Sequence, residues 1–324
     1  MRDTLRWAYA LNQWNVRLDV FVRHEEQQRA LKTVSACGFD TIELASGTGR
    51  WDNISRPEVI LANHGSHEGF LDFLRRAKVQ GVSSIFWDPQ APTEEEEGYA
   101  FRSTANPGDS DAIVEWAEPF VDFLAGVGGE QLVVRPVGSA WMSPPLDPDG
   151  IKVVGDVWNR IGELTSAAGL GLALHYDCLG AVHTQEELVG LLDATDPATV
   201  GLALDTAEFT IGGIDPVAFY REHADRVTHV HLKDTRYADA GEEYRMPGAE
   251  STMLKGGAGR RIERWFYELG TEGGLVDVTG FVAALRERDF PGWVVVESDH
   301  GGNPAELAML NSWYLQRELG VPKS

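Results

Sequence analysis

The chain has 324 residues, 43% of them hydrophobic, enough for one large α/β domain or two small ones. Its 50 acidic residues against 28 basic ones give a formal charge of −22, a surface that repels phosphate backbones and argues against nucleic acid as a partner. No apolar run reaches the roughly eighteen residues of a membrane span, and Cys37 and Cys178 stand alone, which fits a reducing cytoplasm and offers neither a disulfide framework nor a thiolate metal site. The opening Met1-Arg-Asp-Thr-Leu-Arg6 reads as leading straight into a strand rather than as a secretion signal.

From the N-terminus onward, strand-like and helix-like stretches alternate. Strands are expected at 6–11, 40–44, 82–87, 131–135, 170–175, 200–205, 227–232 and 292–297. Helical periodicity falls near 24–37, 66–80, 109–127, 148–168, 184–194, 215–224, 277–288 and 304–319. Thr184 followed by Glu187 predicts a capping box, and Asp215-Pro216 places an acceptor before a first-turn proline. Gly38, Gly81, Gly128 and Gly169 are expected to end helices. Eight βα units predict an α/β fold of the (β/α)₈ TIM barrel type over 1–324. A doubly wound sheet would more often place a glycine-rich phosphate loop after its first strand, and Ala8-Tyr-Ala-Leu-Asn-Gln-Trp14 has none.

Two connections are long. Residues 88–108, with acidic Glu94 to Glu97, read as a solvated loop or a mobile lid. Residues 234–276 form an insertion after the seventh strand, with Gly256-Gly-Ala-Gly-Arg-Arg261 as a flexible stretch rather than a phosphate cradle, because it does not follow a strand directly. In a barrel such loops shape the catalytic face.

Four apolar runs end on metal-binding residue types: Gly171-Leu-Ala-Leu-His175, Gly201-Leu-Ala-Leu-Asp205, Val227-Thr-His-Val-His231 and Val294-Val-Val-Glu297. Asp205, His231 and Glu297 are expected to hold one divalent cation at the barrel mouth, since mixed nitrogen and carboxylate donors suit Mn²⁺, Co²⁺, Fe²⁺ or Mg²⁺. The fourth ligand is His175 or Asp177, with His175 favoured; the other is left as a base or a substrate contact. Taken singly, Asp205 also fits a cap on a following turn. Lys233 shares the inward face with His231, where it would polarise a carbonyl, shuttle a proton or form a salt bridge. Glu43 and Arg135 end the second and fourth strands and should point into the mouth, where Arg135 would hold an oxyanion or orient Glu43. Trp87 and Trp141 are candidates to stack on a ring-shaped ligand in a chain that carries ten Trp, eight Tyr and thirteen Phe.

With those residues in place, the chain resembles the sugar isomerase/epimerase-like barrels that include inosose dehydratase, ketose 3-epimerases and xylose isomerase. The resemblance rests on Leu204-Asp-Thr206, Gly213-Ile-Asp-Pro216, His229-Val-His-Leu-Lys-Asp234 and Trp293-Val-Val-Val-Glu297. It implies one divalent cation, commonly Mn²⁺, with Mg²⁺ or Co²⁺ as substitutes, and a keto-sugar substrate. Epimerases usually carry Glu where His175 stands and His where Glu208 stands, so the paired glutamates of the epimerases are incomplete and Glu208 falls at a substrate-contacting position. The strings Ala8 to Trp14, Ala45-Ser-Gly-Thr-Gly-Arg-Trp51 and Phe86-Trp-Asp-Pro89 look more like the large subunit of bacterial C-glycoside deglycosidases. That likeness implies a carbon–carbon lyase that cleaves 3-oxo-C-glycosides by β-elimination, assembled with a small β subunit. At this site Asp177 or His175, whichever is not a ligand, or Glu297 would remove the proton, and Lys233 or a further acid would protonate the leaving group. Dehydration of an inosose, or isomerisation or epimerisation of a free keto sugar, is the alternative, and a non-catalytic subunit with a structural ion is a third reading.

Overall fold

Parallel strands covered by helices are buried on both faces, so their sequences run apolar without alternation. Val294, Val295 and Val296, like Leu202, Ala203 and Leu204, are completely buried. The computed structural model describes residues 4–15, 24–46, 56–90, 93–95, 98–100, 102–141, 146–246, 249, 265–298 and 302–322. Its strands in chain order are β1 (Arg6–Ala10), β2 (Thr41–Ser46), β3 (Gly81–Trp87), β4 (Thr93–Glu95), β5 (Gly98–Ala100), β6 (Gln131–Val134), β7 (Gly171–His175), β8 (Val200–Asp205), β9 (Val227–Leu232) and β10 (Trp293–Val296). All except β4 and β5 close into one parallel barrel in the order β1-β10-β9-β8-β7-β6-β3-β2. The eight expected strands are those eight.

The helices are α1 (His24–Ala36), α2 (Pro57–His64), α3 (His67–Arg76), α4 (Ser110–Gly126), α5 (Pro148–Ala167), α6 (Gln185–Asp193), α7 (Thr206–Ile211), α8 (Pro216–His223), α9 (Val278–Glu287) and α10 (Pro304–Arg317). Helix starts follow local chemistry. Thr184 and Glu187 make both bonds of the capping box at α6, and Asp215 accepts from Val217 and Ala218 ahead of Pro216 at α8. Gly38, Gly128 and Gly169 take positive φ after α1, α4 and α5. Gly81 does not: it opens β3, and Lys78, with φ of 66°, makes the left-handed turn after α3. Helices α2 and α7 were not anticipated. In the 88–108 connection, β4 and β5 pair as an antiparallel hairpin, so this segment has backbone structure of its own.

Two kinds of core result. The large one lies between strands and helices and contains Trp158, Phe209, Phe219 and Phe281. Inside the barrel the fillers are small: Ala8, Ala10 and Val295 in one cluster, Val133, Ala173 and Ala203 in another. Small residues there leave room above them for long polar side chains.

Register then sets which side chains meet. His175 lies beside Ala203, Asp205 beside His231, and His231 beside Val295. From β7 to β8 and from β9 to β10 the site residue lies two positions beyond its neighbour's partner, while Asp205 and His231 are paired directly; stagger of this kind accompanies closure of a barrel. His175, Asp205, His231 and Glu297, all of one parity, are carried to the same end.

Replacing Thr184 by Ala removes the side-chain half of the α6 capping box. A loss of about 1 kcal/mol is expected, read as a lower denaturant midpoint in chemical unfolding followed by circular dichroism.

Candidate active site

Asp205 ends β8 with its two oxygens in separate roles. Oδ1 accepts from the backbone N–H of Ala207 at 3.0 Å and of Glu208 at 2.9 Å, capping α7. Oδ2 faces the barrel mouth, 3.0 Å from Lys233 Nζ, 3.3 Å from His175 Nε2 and 3.8 Å from His231 Nδ1. The cap uses Oδ1 and leaves Oδ2 facing the mouth, so the cap and the ligand readings of Asp205 are compatible.

Around it the other expected residues converge. His231 Nδ1 lies 3.1 Å from Glu297 Oε2. Lys233 Nζ lies 3.4 Å from Glu297 Oε1 and 3.9 Å from Glu208 Oε1, with the Phe266 ring 3.9 Å away on another side. Glu208 sits in the first turn of α7 and accepts from the Cys178 N–H at 2.9 Å. Asn12, at the end of the first strand's run, donates to Glu297 Oε1. All of these side chains are buried.

Burial raises a carboxyl's pKa, and charge pairing decides where it settles. For Glu297, Lys233 and His231 outweigh burial and hold it at about 2. For Asp205, Lys233 and His175 outweigh burial and lower it. Glu208 goes the other way: burial and the nearby Asp177 charge push it up to about 8 against the pull of Lys233. His231 is raised well above the ordinary imidazole value, because the carboxylates of Glu43 and Glu297 overcome burial.

Some expected placements are different. Arg135 is buried at the end of β6, but it faces Asp177 Oδ2 at 2.8 Å, Asp88 Oδ2 at 3.4 Å and Ser139 Oγ at 3.3 Å, not Glu43. Glu43 is 2% exposed, and its oxygens meet His229, His231 and Ser84 rather than the open mouth. Trp87 has the wrong parity for the interior: its ring stacks on Phe120 of α4 at 5.1 Å, while its neighbour Phe86 points inward against His175. Trp141 follows the Ser139–Gly180 bridge and is 37% exposed. Asn12, Ser84, Phe86, Asp88, His229 and Phe266 were not singled out from the sequence. His229 could have been, since it shares the parity of His231. Phe266 could not, because it arrives from the far end of the insertion.

That insertion is tied at its base. Asp234 and Tyr267 exchange backbone hydrogen bonds, Thr235 Oγ1 donates to the Trp265 carbonyl at 2.7 Å, and Leu275 N–H donates to the Thr235 carbonyl at 2.8 Å. This seats Phe266 on Lys233. The stretch Gly256 to Arg261, like Gly47 to Trp51 of the N-terminal string and Glu96 and Glu97 of the acidic run, lies outside the described residues.

Donor chemistry fits a divalent ion. One donor atom each of His175, Asp205 and His231 lies within 4.8 Å of the others, and Asp177 groups instead with Cys178 and Glu208. Among the described residues, neither Glu297 Oε2 nor His231 Nδ1 has a hydrogen-bond partner, although both are buried and adjacent. Two such lone-pair-bearing atoms need a proton or a cation between them. Nitrogen and oxygen donors without thiolate favour Mn²⁺, Co²⁺ or Mg²⁺. No helix among the described residues is long and apolar enough to cross a membrane.

Comparison with known proteins agrees with the barrel fold. The xylose isomerase-like TIM barrel family model matches residues 31–313. The inosose dehydratase of Bacillus velezensis is 29% identical over 300 residues, covering 84% of this chain and 95% of that protein. The inosose dehydratase of Lacticaseibacillus casei is 27% identical over 216 residues, 63% of this chain and 70% of its own. Among solved structures, the probable 3-DHS dehydratase AsbF of Bacillus anthracis superposes with a TM-score of 0.71 at 14% identity, covering 97% of this chain and 99% of that one. D-allulose 3-epimerase from Methylomonas sp. gives 0.66 at 16%, covering 97% and 96%. At those identities the structures establish a shared fold.

Because His231 must lose a proton to bind an ion and holds it unusually tightly, ion affinity should rise with pH, by about tenfold per unit through the neutral range for one proton released. Titration of the metal-free protein with Mn²⁺, followed by the electron paramagnetic resonance of the free ion, measures this. A pH-independent affinity would contradict the assignment of His231.

Proposed function

Since the chain belongs to the xylose isomerase-like TIM barrel family, we propose that it is a metal-dependent lyase that removes water from a polyhydroxylated cyclic ketone of the inosose type. The observation that carries this reading is the buried convergence of His175, Asp205, His231 and Glu297 around Lys233 at one end of the barrel. The names of the two curated relatives support the substrate class.

Asp205, His231, Glu297 and His175 would hold the ion. When bound, a divalent ion supplies the Lewis acidity that makes a C–H beside a carbonyl removable. Asp177 is the base: Arg135 Nε positions its Oδ2 at 2.8 Å, and its side chain, 14% exposed, is more open than its neighbours. Glu208, held near 8, carries a proton at neutral pH and gives it to the departing β-hydroxyl, which leaves as water. Oxygens of Asp177 and Glu208 lie within 4.8 Å, so the proton taken from carbon can return to Glu208 and complete the cycle. Lys233 offsets the carboxylates while these protons move, and Phe266 and Phe86 exclude water.

The cleavage of 3-oxo-C-glycosides uses the same proton abstraction with an aryl carbon as the leaving group, and it brings with it a small β subunit. Its support is the N-terminal likeness, whereas the named relatives are dehydratases and epimerases. Dehydration is therefore the reading adopted.

Purified protein loaded with Mn²⁺ should convert an inosose with loss of water, and chelation should abolish the reaction. Turnover that persists under chelation, or that occurs with an oxidised aryl C-glucoside but not an inosose, would overturn the proposal. Glu208→Gln should lower kcat by about 10²–10⁴-fold without lowering Mn²⁺ affinity. In the unsubstituted enzyme kcat should fall as pH rises past about 8, where Glu208 loses its proton.

A further inference from the structure

Asn12 stands beside the ion cluster, and the proposed reaction gives it no task. Ala8 and Ala10 pack inside the barrel with Val295, and Asn12, of the same parity, lies two residues beyond the end of β1. Its contact with Glu297 shows that it keeps the inward face: Nδ2 donates to Glu297 Oε1. Its Oδ1, among the described residues, has no hydrogen-bond partner. The residue is only 7% exposed. A buried amide oxygen normally finds a donor, and one left without costs stability.

The turn that carries Asn12 is fixed by its neighbours. Leu11 N–H donates to the Glu43 carbonyl at 3.1 Å, Trp14 N–H donates to the Leu11 carbonyl at 3.2 Å, and Gln13 Nε2 donates to the Tyr9 hydroxyl at 2.5 Å. Gln13 Oε1 is also buried and unpartnered among the described residues, but Gln13 packs with Tyr9 in the layer between strands and helices, away from the ion cluster. Barrel order decides what Asn12 faces. In the closed order β1-β10-β9-β8-β7-β6-β3-β2, β7 is four strands from β1 in either direction, directly across the ring. Asp177 follows β7 and Glu208 follows β8, so the groups assigned to proton transfer lie on the side of the mouth opposite Asn12.

We propose that Asn12 is a substrate-binding residue whose free amide end takes the hydroxyl on the ring carbon across from the one that loses its hydrogen. This rests on the polyhydroxylated-ketone reading above and gives that ring its orientation. A six-membered polyol that turns its reacting edge to Asp177 presents its far hydroxyl to Asn12. A hydroxyl both donates and accepts, so it suits either end of the amide whatever proton the cluster carries. A buried group that bonds a substrate hydroxyl also discriminates against the analogue lacking it, which leaves the group unpaired.

Calorimetric titration of the Mn²⁺-loaded full chain with an inosose and its singly deoxygenated analogues tests this. Glu208→Gln serves as the parent, so that turnover is slow while binding is read. Adding Asn12→Ala should weaken inosose binding by about 3–10-fold, the worth of one neutral hydrogen bond. The analogue lacking the hydroxyl across from the reacting carbon should bind equally with and without Asn12→Ala, and the other analogues should show the full loss. Asn12→Ser should give the same pattern if Asn12→Ala does not fold. Equal losses for every analogue, no loss for inosose, or a loss cancelled by removing a different hydroxyl would overturn the proposal. So would a loss of Mn²⁺ affinity, read from the paramagnetic resonance of the free ion, that accounts for the whole loss of inosose binding. A parent protein that binds neither inosose nor any analogue would instead mark the failure of the substrate reading, and the role of Asn12 would fall with it.

Discussion

Concentrated charge in a low-dielectric interior has to neutralise itself, and the rest of this structure depends on that requirement. Glu43, Asp205, Glu208 and Glu297 are all at most 4% exposed, and so are His231 and Lys233. An isolated buried carboxylate would cost several kcal/mol; here each faces a cation or several donors. Lys233 stands 3.0 Å from Asp205 and 3.4 Å from Glu297, and His231 lies between Glu43 and Glu297. Glu208, with Lys233 no nearer than 3.9 Å, is the exception: burial and the Asp177 charge push it up to about 8. A divalent ion entering this cluster would take over part of the compensation that Lys233 and the His231 proton provide, so ion binding, protonation and the Lys233 position are one linked equilibrium.

The scaffold meets this requirement by register and by anchoring. The register, with a two-residue offset from β7 to β8 and from β9 to β10 and direct pairing of Asp205 with His231, brings these residues to one end. Small interior residues such as Ala173, Ala203 and Val295 keep space free beneath them. Backbone N–H groups of α7 hold Asp205 from behind, and the tied base of the insertion seats Phe266 against Lys233. Each device converts a flexible side chain into a fixed one, which is what preorganised catalysis needs.

Much of this was legible in the sequence because its signals were local. Parallel strands read as apolar runs, and the ligand types ended them, so all eight barrel strands and the convergence of His175, Asp205, His231 and Glu297 followed from pattern alone. Readings that needed a side chain's direction or distant partner fared less well. Trp87 was placed in the mouth although Phe86, one residue earlier, takes the inward position. Arg135 was expected to hold an oxyanion or orient Glu43; Asp88 and Asp177 on adjoining loops hold it, and Glu43 does not. Helix α7 is six residues long and is capped by Asp205, whose visible signal was that of a ligand. Helix α2 is short and close to α3, which masks its own periodicity. Phe266 and Asn12 reach the site from opposite ends of the chain, and no spacing rule connects them to it.

Facing Lys233, Glu208 is buried, held near 8 and close to the Arg135-paired Asp177. That pairing supports the elimination we propose, in which one carboxyl would take a proton and another give one. The central claim remains that one cation joins four residues from four adjacent strands. Anomalous diffraction from Mn²⁺-soaked crystals, collected at the manganese edge, tests it most directly. The account predicts one anomalous peak within about 2.0–2.3 Å of His175, Asp205, His231 and Glu297. A peak elsewhere in the chain, or none at this cluster with Lys233 still bridging Asp205 and Glu297, would contradict it.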